Sequence, residues 1–340
     1  MDRRMMLGSV AALTMLAGLA TGAAAAEATV GYQLIYSPWA LPIVEKTFEA
    51  ATGYDIRWVK FDSGAKVISA MASGQVDIAV AGSSPLAAAA SQGIDLQLFW
   101  LLDDIAQAEA MVVRDGSGID PAQPATLKGK TLAVPFVSTT HFHTLFALET
   151  WGVQADELKI LNMQPNQIAA AWERGDIDAA FVWDPALARI KKSGKVMITS
   201  GELSAKGKAT FDGLVVMRQF AEANPEFMAK FVRIIADANA AYLADRAKLT
   251  AGAPVAEANV SLLGGEPAEV VAATALYAYP GIEEQVSTRW LGGGAEGGAA
   301  KALKATAEFL KAQGKVDTVL PDYAQFVTPA FAEAAAKLPQ

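Results

Sequence analysis

The chain has 340 residues, of which 52% are hydrophobic and 19% are charged. This composition is typical of a globular protein with enough apolar material for two domains. The net charge of −8 argues against a nucleic-acid partner. The sequence contains no cysteine, which excludes disulfides, thiol chemistry and cysteine-bound metals.

The N-terminal stretch 1–26 has the pattern of a secretory signal peptide. Two arginines at positions 3 and 4 precede an apolar run over residues 5–20, and three alanines at 24–26 form a small-residue cleavage pattern. The apolar run is shorter than the roughly 20 residues that a membrane-spanning helix needs. We therefore expect a soluble, exported protein that begins near Glu27, and the paired arginines leave the general and twin-arginine routes both open.

From residue 27 onward, short apolar strands alternate with amphipathic helices. The predicted order is strand ATVGYQLI, helix SPWALPIVEKTFEAATG, strand YDIRWVKF, helix SGAKVISAMASG, strand VDIAVAG, helix PLAAAASQG and strand DLQLFWLL. The three helices end at Gly53, Gly74 and Gly93, and glycine is the residue that most easily adopts the left-handed conformation after a helix. This order predicts a mainly parallel sheet with helices on both faces.

The same alternation restarts with strand TLAVPF and continues with helix THFHTLFALETWG, strand LKILNM, helix NQIAAAWERG, strand IDAAFVW and helix PALARIKKSG. Two short β-branched runs, at residues 112–114 and 214–218, bracket this second unit, and we expect the chain to cross between two lobes there. Lobe 1 is predicted to comprise residues 27–112 and 217–340, and lobe 2 residues 113–216. The sequence thus predicts a two-lobed α/β fold with a double crossover and a hinge at the crossings.

Both histidines of the chain, His141 and His143, lie in the segment AVPFVSTTHFHT. Side chains two residues apart on a helix point in directions roughly 200° apart, so these two cannot bind one ion together. The chain has no third histidine to complete a metal site and no G-x-S-x-G motif for a serine nucleophile. We therefore predict no metal, no cofactor and no catalysis.

Three turns share a pattern of strand end, small or hydroxyl residues, and helix start. Their residues are Asp62, Ser63 and Gly64 in FDSGA, Ser83 and Ser84 in GSSPL, and Ser138, Thr139, Thr140 and His141 in STTH. Each turn presents free backbone N–H groups, hydroxyl donors and the positive end of a helix dipole. One such turn is an ordinary helix cap, and Ser84 is expected to be the cap before Pro85. Together the turns lie where open α/β sheets bind ligands, and they suit an anion with several oxygens, such as a sulfonate.

At these stretches the sequence resembles the taurine-binding proteins of bacterial ABC importers, within the wider group that binds aliphatic sulfonates and nitrate. The matching segments span nearly the whole mature chain: KFDSGA, GSSPLAAAASQ, LAVPFVSTTH, AAWERGDIDAAFVWDPA, FLKAQGKV and DYAQFVT. The resemblance implies a monomeric periplasmic solute-binding protein of type II that delivers its ligand to a membrane permease. It implies a pocket built from the three turns and the FVWDPA segment, with Gln33 and Tyr36 added. In this pocket STTH forms a cup of donors, with His141 at its rim and His143 packed or solvated.

Taurine carries an ammonium group as well as a sulfonate, so a taurine pocket needs a carboxylate. Asp184 precedes Pro185 at a helix start, where a capping role is enough to explain it. Asp212 begins the strand FDGLVV, where no cap is needed, and we therefore favour Asp212 for the ammonium. Trp183 is expected to form a wall beside the linker between the two charged groups.

Two alternatives to taurine binding stay open, besides a structural or adhesive role, against which the lack of sequence repeats argues. The loop YSPWALP after Tyr36 is bulkier and more apolar than expected of taurine binders, so the ligand could instead be an alkanesulfonate, nitrate or another small anion. A carboxylate would be superfluous for these ligands. The second alternative is an enzyme, because the same double-crossover fold also serves in pyrimidine-precursor synthesis. The absence of cysteine and the export signal argue against an enzyme.

Overall fold

The computed structural model describes residues 25–339. The predicted signal peptide therefore lies outside the described residues, apart from Ala25 and Ala26. Within the described part of the chain, no helix is long and apolar enough to cross a membrane.

The described residues form two five-stranded sheets. The first contains β1 (Glu27–Gln33), β2 (Asp55–Phe61), β3 (Ile78–Gly82), β4 (Leu96–Asp104) and β10 (Phe211–Met217), in the spatial order β2-β1-β3-β10-β4. The second contains β5 (Glu109–Arg114), β6 (Thr131–Val134), β7 (Lys159–Asn162), β8 (Ala179–Trp183) and β9 (Gly194–Thr199), in the spatial order β7-β6-β8-β5-β9. The two sheets therefore have equivalent strand orders, although the first takes its β10 from a later part of the chain than its other strands. The first sheet and the helices that pack on it are called the first half of the fold below, and the second sheet with its helices the second half.

One strand in each sheet runs against the other four. In the first sheet β10 is antiparallel to β3 and β4, and in the second β5 is antiparallel to β8 and β9. Each reversed strand is the first one that the chain forms after entering that sheet from the other. The predicted parallel arrangement therefore holds for four of the five strands, and the reversal at the fifth was not predicted.

The chain passes between the sheets at residues 105–108 and again at residues 205–210. The runs at 112–114 and 214–217 lie inside β5 and β10, each within a single sheet. The prediction that these runs themselves cross between lobes is wrong, since the crossings precede them. The division into lobes at residues 112/113 and 216/217 stays a prediction. It assigns residues 109–112 to lobe 1, whereas these residues belong to β5 of the second sheet.

Fifteen α-helices cover the sheets in the described residues. They are α1 (Ala40–Val44), α2 (Thr47–Thr52), α3 (Gly64–Ala72), α4 (Ser83–Ser91), α5 (Thr139–Thr150), α6 (Pro165–Arg174), α7 (Ala186–Lys191), α8 (Ser200–Ser204), α9 (Arg218–Ala223), α10 (Pro225–Asp245), α11 (Pro254–Leu263), α12 (Pro267–Thr274), α13 (Ile282–Val286), α14 (Gly298–Ala312) and α15 (Ala330–Ala335).

The longest helix, α10, shows how the C-terminal third of the chain completes the first half of the fold. Phe227, Phe231 and Ile235 recur every four residues and are buried, as expected for the apolar face of a surface helix. The Phe231 ring centroid lies 4.6 Å from that of Phe48 on α2 and 6.4 Å from that of Phe99 on β4. The C-terminal helices therefore share a hydrophobic core with the N-terminal part of the chain.

Candidate functional site

A cavity of about 310 Å³, its open mouth included, lies between the facing edges of the two sheets. Residues from both sheets and from the C-terminal region form its wall, namely Gln33, Ile35, Gly64, Gly82, Pro85, Glu109, Ser138, Thr139, Trp183, Asp212 and Tyr277.

The strand directions explain why these residues meet. The parallel strands β1, β3 and β8 end at Gln33, Gly82 and Trp183, and the carboxyl ends of parallel strands share one edge. The reversed strands β10 and β5 begin at that same edge. Register pairs Asp212 with Gly82 in the first sheet and Glu109 with Trp183 in the second. Each sheet therefore places one carboxyl group at the cavity.

Three helix starts surround the same space. The residues that precede or open α3, α4 and α5 are Ser63, Gly82 and Ser138, all in extended conformation. Only the third acts as a side-chain cap, because Ser138 Oγ accepts a 3.0 Å hydrogen bond from the His141 backbone N–H. Gly82 caps α4, one residue before the start of that helix, which corrects the prediction that Ser84 is the cap.

Three buried serine hydroxyls at the first two helix starts have no hydrogen-bond partner. They belong to Ser63, Ser83 and Ser84, each at most 2% exposed. Buried hydroxyl groups are usually hydrogen-bonded, so these three donors at adjoining helix starts are available to a ligand.

Two glycines allow this close approach of helix starts. A Cβ atom at Gly64 would lie 2.7 Å from Pro85 Cγ on the neighbouring turn. A Cβ atom at Gly82 would lie 2.8 Å from Thr139 Cγ2 of the second half and 3.3 Å from Asp212 Oδ1. Any larger residue at Gly82 would therefore push the two halves of the site apart.

Four acidic groups are buried at or behind the cavity wall, and burial dominates the pKa of each. It raises the pKa of Asp212 to about 7, an effect that the neighbouring Asp103 side chain opposes. It also raises the pKa of Asp103 well above the usual range, and the charge of Asp212 adds to this rise. The pKa of Tyr277 follows the same pattern, with burial first and the charges of Asp103 and Asp212 next. A cation placed among these groups would favour their ionised forms.

Glu109 is the fourth acidic group, and it lines the cavity although sequence reasoning did not name it. Burial raises its pKa to about 8, hydrogen bonds from Thr139 and Ser200 oppose the rise, and the charge of Asp212 adds to it. Thr139 Oγ1 donates to Glu109 Oε1 from the start of α5, and Ser200 Oγ lies 2.9 Å from Oε2. The sequence contains a sign of this position, since Glu109 is a charged residue placed directly before the apolar run AMVV, a pattern typical of a buried strand.

Tyr277 was also missed, and no local signal could have revealed it. It follows α12 in a stretch where Ala278 bridges to Asp104 at the end of β4. Only this long-range contact brings Tyr277 to the cavity.

The structure brings six of the fourteen predicted site residues to the cavity wall: Gln33, Gly64, Ser138, Thr139, Trp183 and Asp212. Two of them are fixed by their own hydrogen bonds. Gln33 Nε2 donates to the Val80 carbonyl oxygen at 2.8 Å, and Trp183 Nε1 donates to the Leu34 carbonyl oxygen at 2.9 Å. Ser63, Ser83 and Ser84 adjoin the wall through their neighbours Gly64, Gly82 and Pro85.

Two predicted residues point elsewhere. Tyr36 is buried, but its hydroxyl donates to the Gly264 carbonyl oxygen at 3.0 Å and its ring packs with Ala256 and Val270. Asp62 is largely exposed and pairs with Lys66 at 3.3 Å. Tyr36 follows β1 and Asp62 follows β2, and neither residue lines the cavity.

Asp184 is held at the start of α7 and does not form part of the wall. Its Oδ1 accepts a 2.7 Å hydrogen bond from the Ala188 backbone N–H, which is a capping interaction. Burial raises its pKa to about 6, and this backbone hydrogen bond opposes the rise. Of the two aspartates considered for the ammonium, only Asp212 reaches the cavity.

Thr140 and His141 lie behind the wall. Thr140 Oγ1 is 2.8 Å from Ser138 Oγ. The His141 ring stacks on Phe136 with centroids 4.5 Å apart, and its Nδ1 accepts a hydrogen bond from the Val137 backbone N–H. His141 is thus buried and does not line the cavity, and its place at the rim of the cup stays a prediction.

His143 is fully buried, so it is packed and not solvated. Its ring contacts Phe142 and Phe181, with centroids 5.4 and 6.2 Å away. Both ring nitrogens are hydrogen-bonded, Nδ1 to Ser200 Oγ at 2.8 Å and Nε2 to the Lys208 carbonyl oxygen at 2.7 Å. Within residues 25–339, no group of three or more histidine, aspartate and glutamate side chains is arranged to hold a metal ion.

Comparison with known proteins gives the chain a family and a fold. The profile of the NMT1-like family matches residues 22–256. The taurine-binding periplasmic protein of Escherichia coli K12 is 39% identical over 328 residues, which cover 94% of this chain and 97% of that protein. The resemblance found in the sequence is thereby confirmed.

Solved structures of sulfonate-binding proteins share the architecture. The alkanesulfonate-binding protein of Xanthomonas axonopodis pv. citri, bound to MOPS, has a TM-score of 0.71 at 24% identity, covering 91% of this chain and 99% of that one. The periplasmic aliphatic sulphonate binding protein of Escherichia coli has a TM-score of 0.69 at 21% identity, covering 91% and 100%. The predicted two-lobed α/β fold of type II is confirmed.

Proposed function

Because the chain belongs to the NMT1-like family, we propose that it is the solute-binding protein of an ABC importer and captures taurine between its lobes. It acts in the periplasm as a monomer, delivers taurine to a membrane permease and catalyses no reaction. The taurine-binding relative supports this proposal because it matches the chain over 94% of its length. The signal-peptide pattern of the N-terminal stretch 1–26 supports the location.

The observation that carries the proposal is the pairing of two opposite chemistries in one small cavity. The helix starts that adjoin the cavity carry the orphan hydroxyls of Ser63, Ser83 and Ser84. The carboxyl groups of Asp212 and Glu109, one from each sheet, line the same cavity. A zwitterion with an anionic and a cationic end satisfies both sides at once.

The sulfonate end suits the helix starts. A sulfonate stays ionised at any physiological pH and only accepts hydrogen bonds, so it needs fixed donors and no titrating partner. Hydroxyl groups and the free N–H groups at the starts of α3, α4 and α5 are such donors. The positive ends of the three helix dipoles add a favourable field.

The ammonium end suits the carboxyl groups. Both are desolvated, and their raised pKa values show that ionisation is costly while nothing positive is near. An ammonium group offsets that cost and makes charge-assisted hydrogen bonds with them. The indole of Trp183 lies on the wall beside this space, where it can contact the two-carbon linker and the cation.

The alternative ligand is a simple alkanesulfonate or nitrate, which the helix starts would serve equally well. The two buried carboxyl groups would then find no cation on the ligand and would make no charge-assisted contact with it. Taurine is favoured over these ligands for that reason.

Calorimetric titration of the mature protein tests this choice. The ligands are taurine, propane-1-sulfonate and sulfate, and propane-1-sulfonate has the shape of taurine with a methyl group in place of the ammonium. We expect taurine to bind at least tenfold more tightly than propane-1-sulfonate, since at least one charge-assisted contact worth about 1.5 to 3 kcal/mol is lost. Failure to bind taurine, or equal affinity for both sulfonates, contradicts the proposal.

A further inference from the structure

A continuous row of hydrogen bonds runs from the cavity to the second crossing segment. Glu109 Oε2 lies 2.9 Å from Ser200 Oγ, which lies 2.8 Å from His143 Nδ1. His143 Nε2 lies 2.7 Å from the carbonyl oxygen of Lys208, in the segment 205–210 that links the two sheets. Glu109 is 4% exposed at the cavity wall, and Ser200 and His143 are fully buried, so the row is closed to solvent beyond Glu109.

The number of hydrogens in this row is fixed by its two ends. The Lys208 carbonyl can only accept, so His143 Nε2 must carry a hydrogen. The two remaining contacts, Nδ1 to Oγ and Oγ to Oε2, need one hydrogen each, and Ser200 supplies only one. The second must sit either on Glu109 Oε2 or on His143 Nδ1. Besides the hydrogen on His143 Nε2, Glu109 and His143 therefore share one further proton. The pair is electrically neutral wherever that proton lies.

The surroundings decide where that proton rests in the empty cavity. Glu109 faces the hydroxyls of Thr139 on α5 and Ser200 on α8, and the carboxyl of Asp212 on β10 disfavours its ionisation. Burial raises the pKa of Glu109 to about 8 and lowers the pKa of His143 to about 4. Around His143 lie two phenylalanine rings and the Lys208 carbonyl. The proton thus rests on Glu109, and His143 is neutral.

We propose that Ser200 relays this proton from Glu109 to His143 when an ammonium group enters the cavity. The O–H bond at Glu109 Oε2 breaks and its proton passes to Ser200 Oγ, while the hydroxyl proton of Ser200 passes to His143 Nδ1. The products are a Glu109 carboxylate, an unchanged Ser200 hydroxyl and a His143 imidazolium that donates to Lys208. The step exchanges no proton with solvent. It rests on the proposed function, because the ammonium of taurine is what stabilises the carboxylate.

The relay gives the site a selective response. An empty or alkanesulfonate-filled cavity keeps Glu109 neutral and does not repel the anionic end of a ligand. A ligand with a cationic end stabilises the Glu109 carboxylate, so the proton moves to His143 and the negative charge forms beside the cation. His143 is thus a positioning and proton-storing residue that does not touch the ligand.

Nitrogen NMR of the histidine rings tests the relay, and the chain is well suited because it has only two histidines. His141 is an internal reference, since its Nδ1 accepts the Val137 N–H and must be unprotonated. In the free protein we expect both histidines to be neutral with unprotonated Nδ1. Saturation with taurine should protonate both nitrogens of His143 and leave His141 unchanged, and propane-1-sulfonate should change neither.

The outcomes separate this inference from the proposed function. A His143 that stays neutral in the taurine-saturated protein, with binding verified by calorimetry, overturns the relay and leaves the proposed function standing. Absence of taurine binding overturns both.

Ser200→Ala gives a second measurement, because it interrupts the row without removing either titrating group. Calorimetry near neutral pH in buffers of different ionisation enthalpy counts the protons released when taurine binds. We expect Ser200→Ala to release about one more proton per taurine than the parent, since Glu109 must now lose its proton to solvent. Ser204→Ala, on the same helix and outside the row, should match the parent. Equal proton release from all three proteins contradicts the relay.

Discussion

The indole Nε1 of Trp183 donates a 2.9 Å hydrogen bond to the carbonyl oxygen of Leu34, and the two residues belong to different halves of the molecule. Trp183 ends β8 of the second sheet, and Leu34 follows β1 of the first. Trp183 lines the cavity, so this bond joins the two halves at the site, and a Cβ atom at Gly82 would lie only 2.8 Å from Thr139 Cγ2 of the other half. The structure therefore has its two halves drawn together around the site, an arrangement that can open at the two crossing segments.

Trp183→Phe should weaken taurine binding about threefold to tenfold. The substitution keeps an aromatic wall but removes the donor, and a hydrogen bond of this kind contributes about 0.5 to 1.5 kcal/mol. Small-angle scattering of the taurine complex should show a larger radius of gyration for the variant than for the parent.

Trp172→Phe is the matched control for Trp183→Phe, since Trp172 Nε1 donates to Ser193 Oγ within the second half of the fold. If both substitutions change affinity and compactness equally, the bond between Trp183 and Leu34 has no special part in closure.

Asp212→Asn and Glu109→Gln should each weaken taurine binding about tenfold to a hundredfold and change ethanesulfonate binding little. Each removes one charge-assisted contact worth about 1.5 to 3 kcal/mol, and only taurine offers an ammonium group to it. Calorimetric titration with the two sulfonates measures the difference. Asp184→Asn is the control, because Asp184 caps α7, and a loss of selectivity in that variant alone would transfer the ammonium site to Asp184.

Ser84→Ala and Ser83→Ala should weaken the binding of every sulfonate, whatever its other end carries. Each removes a buried donor at the start of α4 and leaves an anion oxygen unpaired, at a cost of about 1 to 3 kcal/mol, or about fivefold to a hundredfold in affinity. Ser69→Ala, on the exposed face of α3, is the control and should bind like the parent. Parental affinity in both α4 variants would show that the sulfonate lies elsewhere.

The ligand-free protein should lose roughly 1 to 2 kcal/mol of unfolding free energy between about pH 7 and about pH 9. Burial raises the pKa of Asp212 to about 7 and of Glu109 to about 8, so the folded state holds these protons more firmly than the unfolded chain. Stability from a raised pKa is present at low pH and is lost as the pH rises through the folded-state value. The buried histidines, whose pKa is lowered, cost stability mainly below their unfolded-state pKa of about 6.5, so they offset only a small part of this loss.

Urea unfolding at the two pH values measures this loss. The double variant Glu109→Gln, Asp212→Asn should show a much smaller change, and saturating taurine should suppress the loss in the parent. A ligand-free parent that is as stable at the higher pH as at the lower one would rule out buried protonated carboxyl groups.

Local patterns in the sequence were enough for the elements and the anion side of the site. Strand alternation and helix-ending glycines such as Gly53 and Gly175 predict the order of elements, and both glycines have the positive φ angles that this role requires. Hydroxyl residues after strands predict the helix starts, because the donors are contributed by consecutive residues. Ser63, Ser83 and Ser138 could therefore be named from sequence alone.

The cation side could not be predicted in full because it depends on strand direction and long-range packing. Glu109 reaches the cavity only because β5 runs against its neighbours, which reverses the end of the strand that faces the ligand. Tyr277 arrives through a bridge between Ala278 and Asp104, which lie far apart in sequence. The Tyr36 ring packs in an apolar cluster on α11 and α12, and no pattern near Tyr36 in the sequence predicts those contacts.

A crystal structure of the taurine complex tests the central claim most directly, because the two ends of the ligand can be told apart by their electron density. The sulfonate should lie against the starts of α3, α4 and α5, within hydrogen-bond distance of the Ser83 or Ser84 hydroxyl. The ammonium nitrogen should lie between the carboxyl groups of Asp212 and Glu109. A taurine molecule bound in the reverse orientation, or bound outside the cavity between the two sheets, would contradict the account.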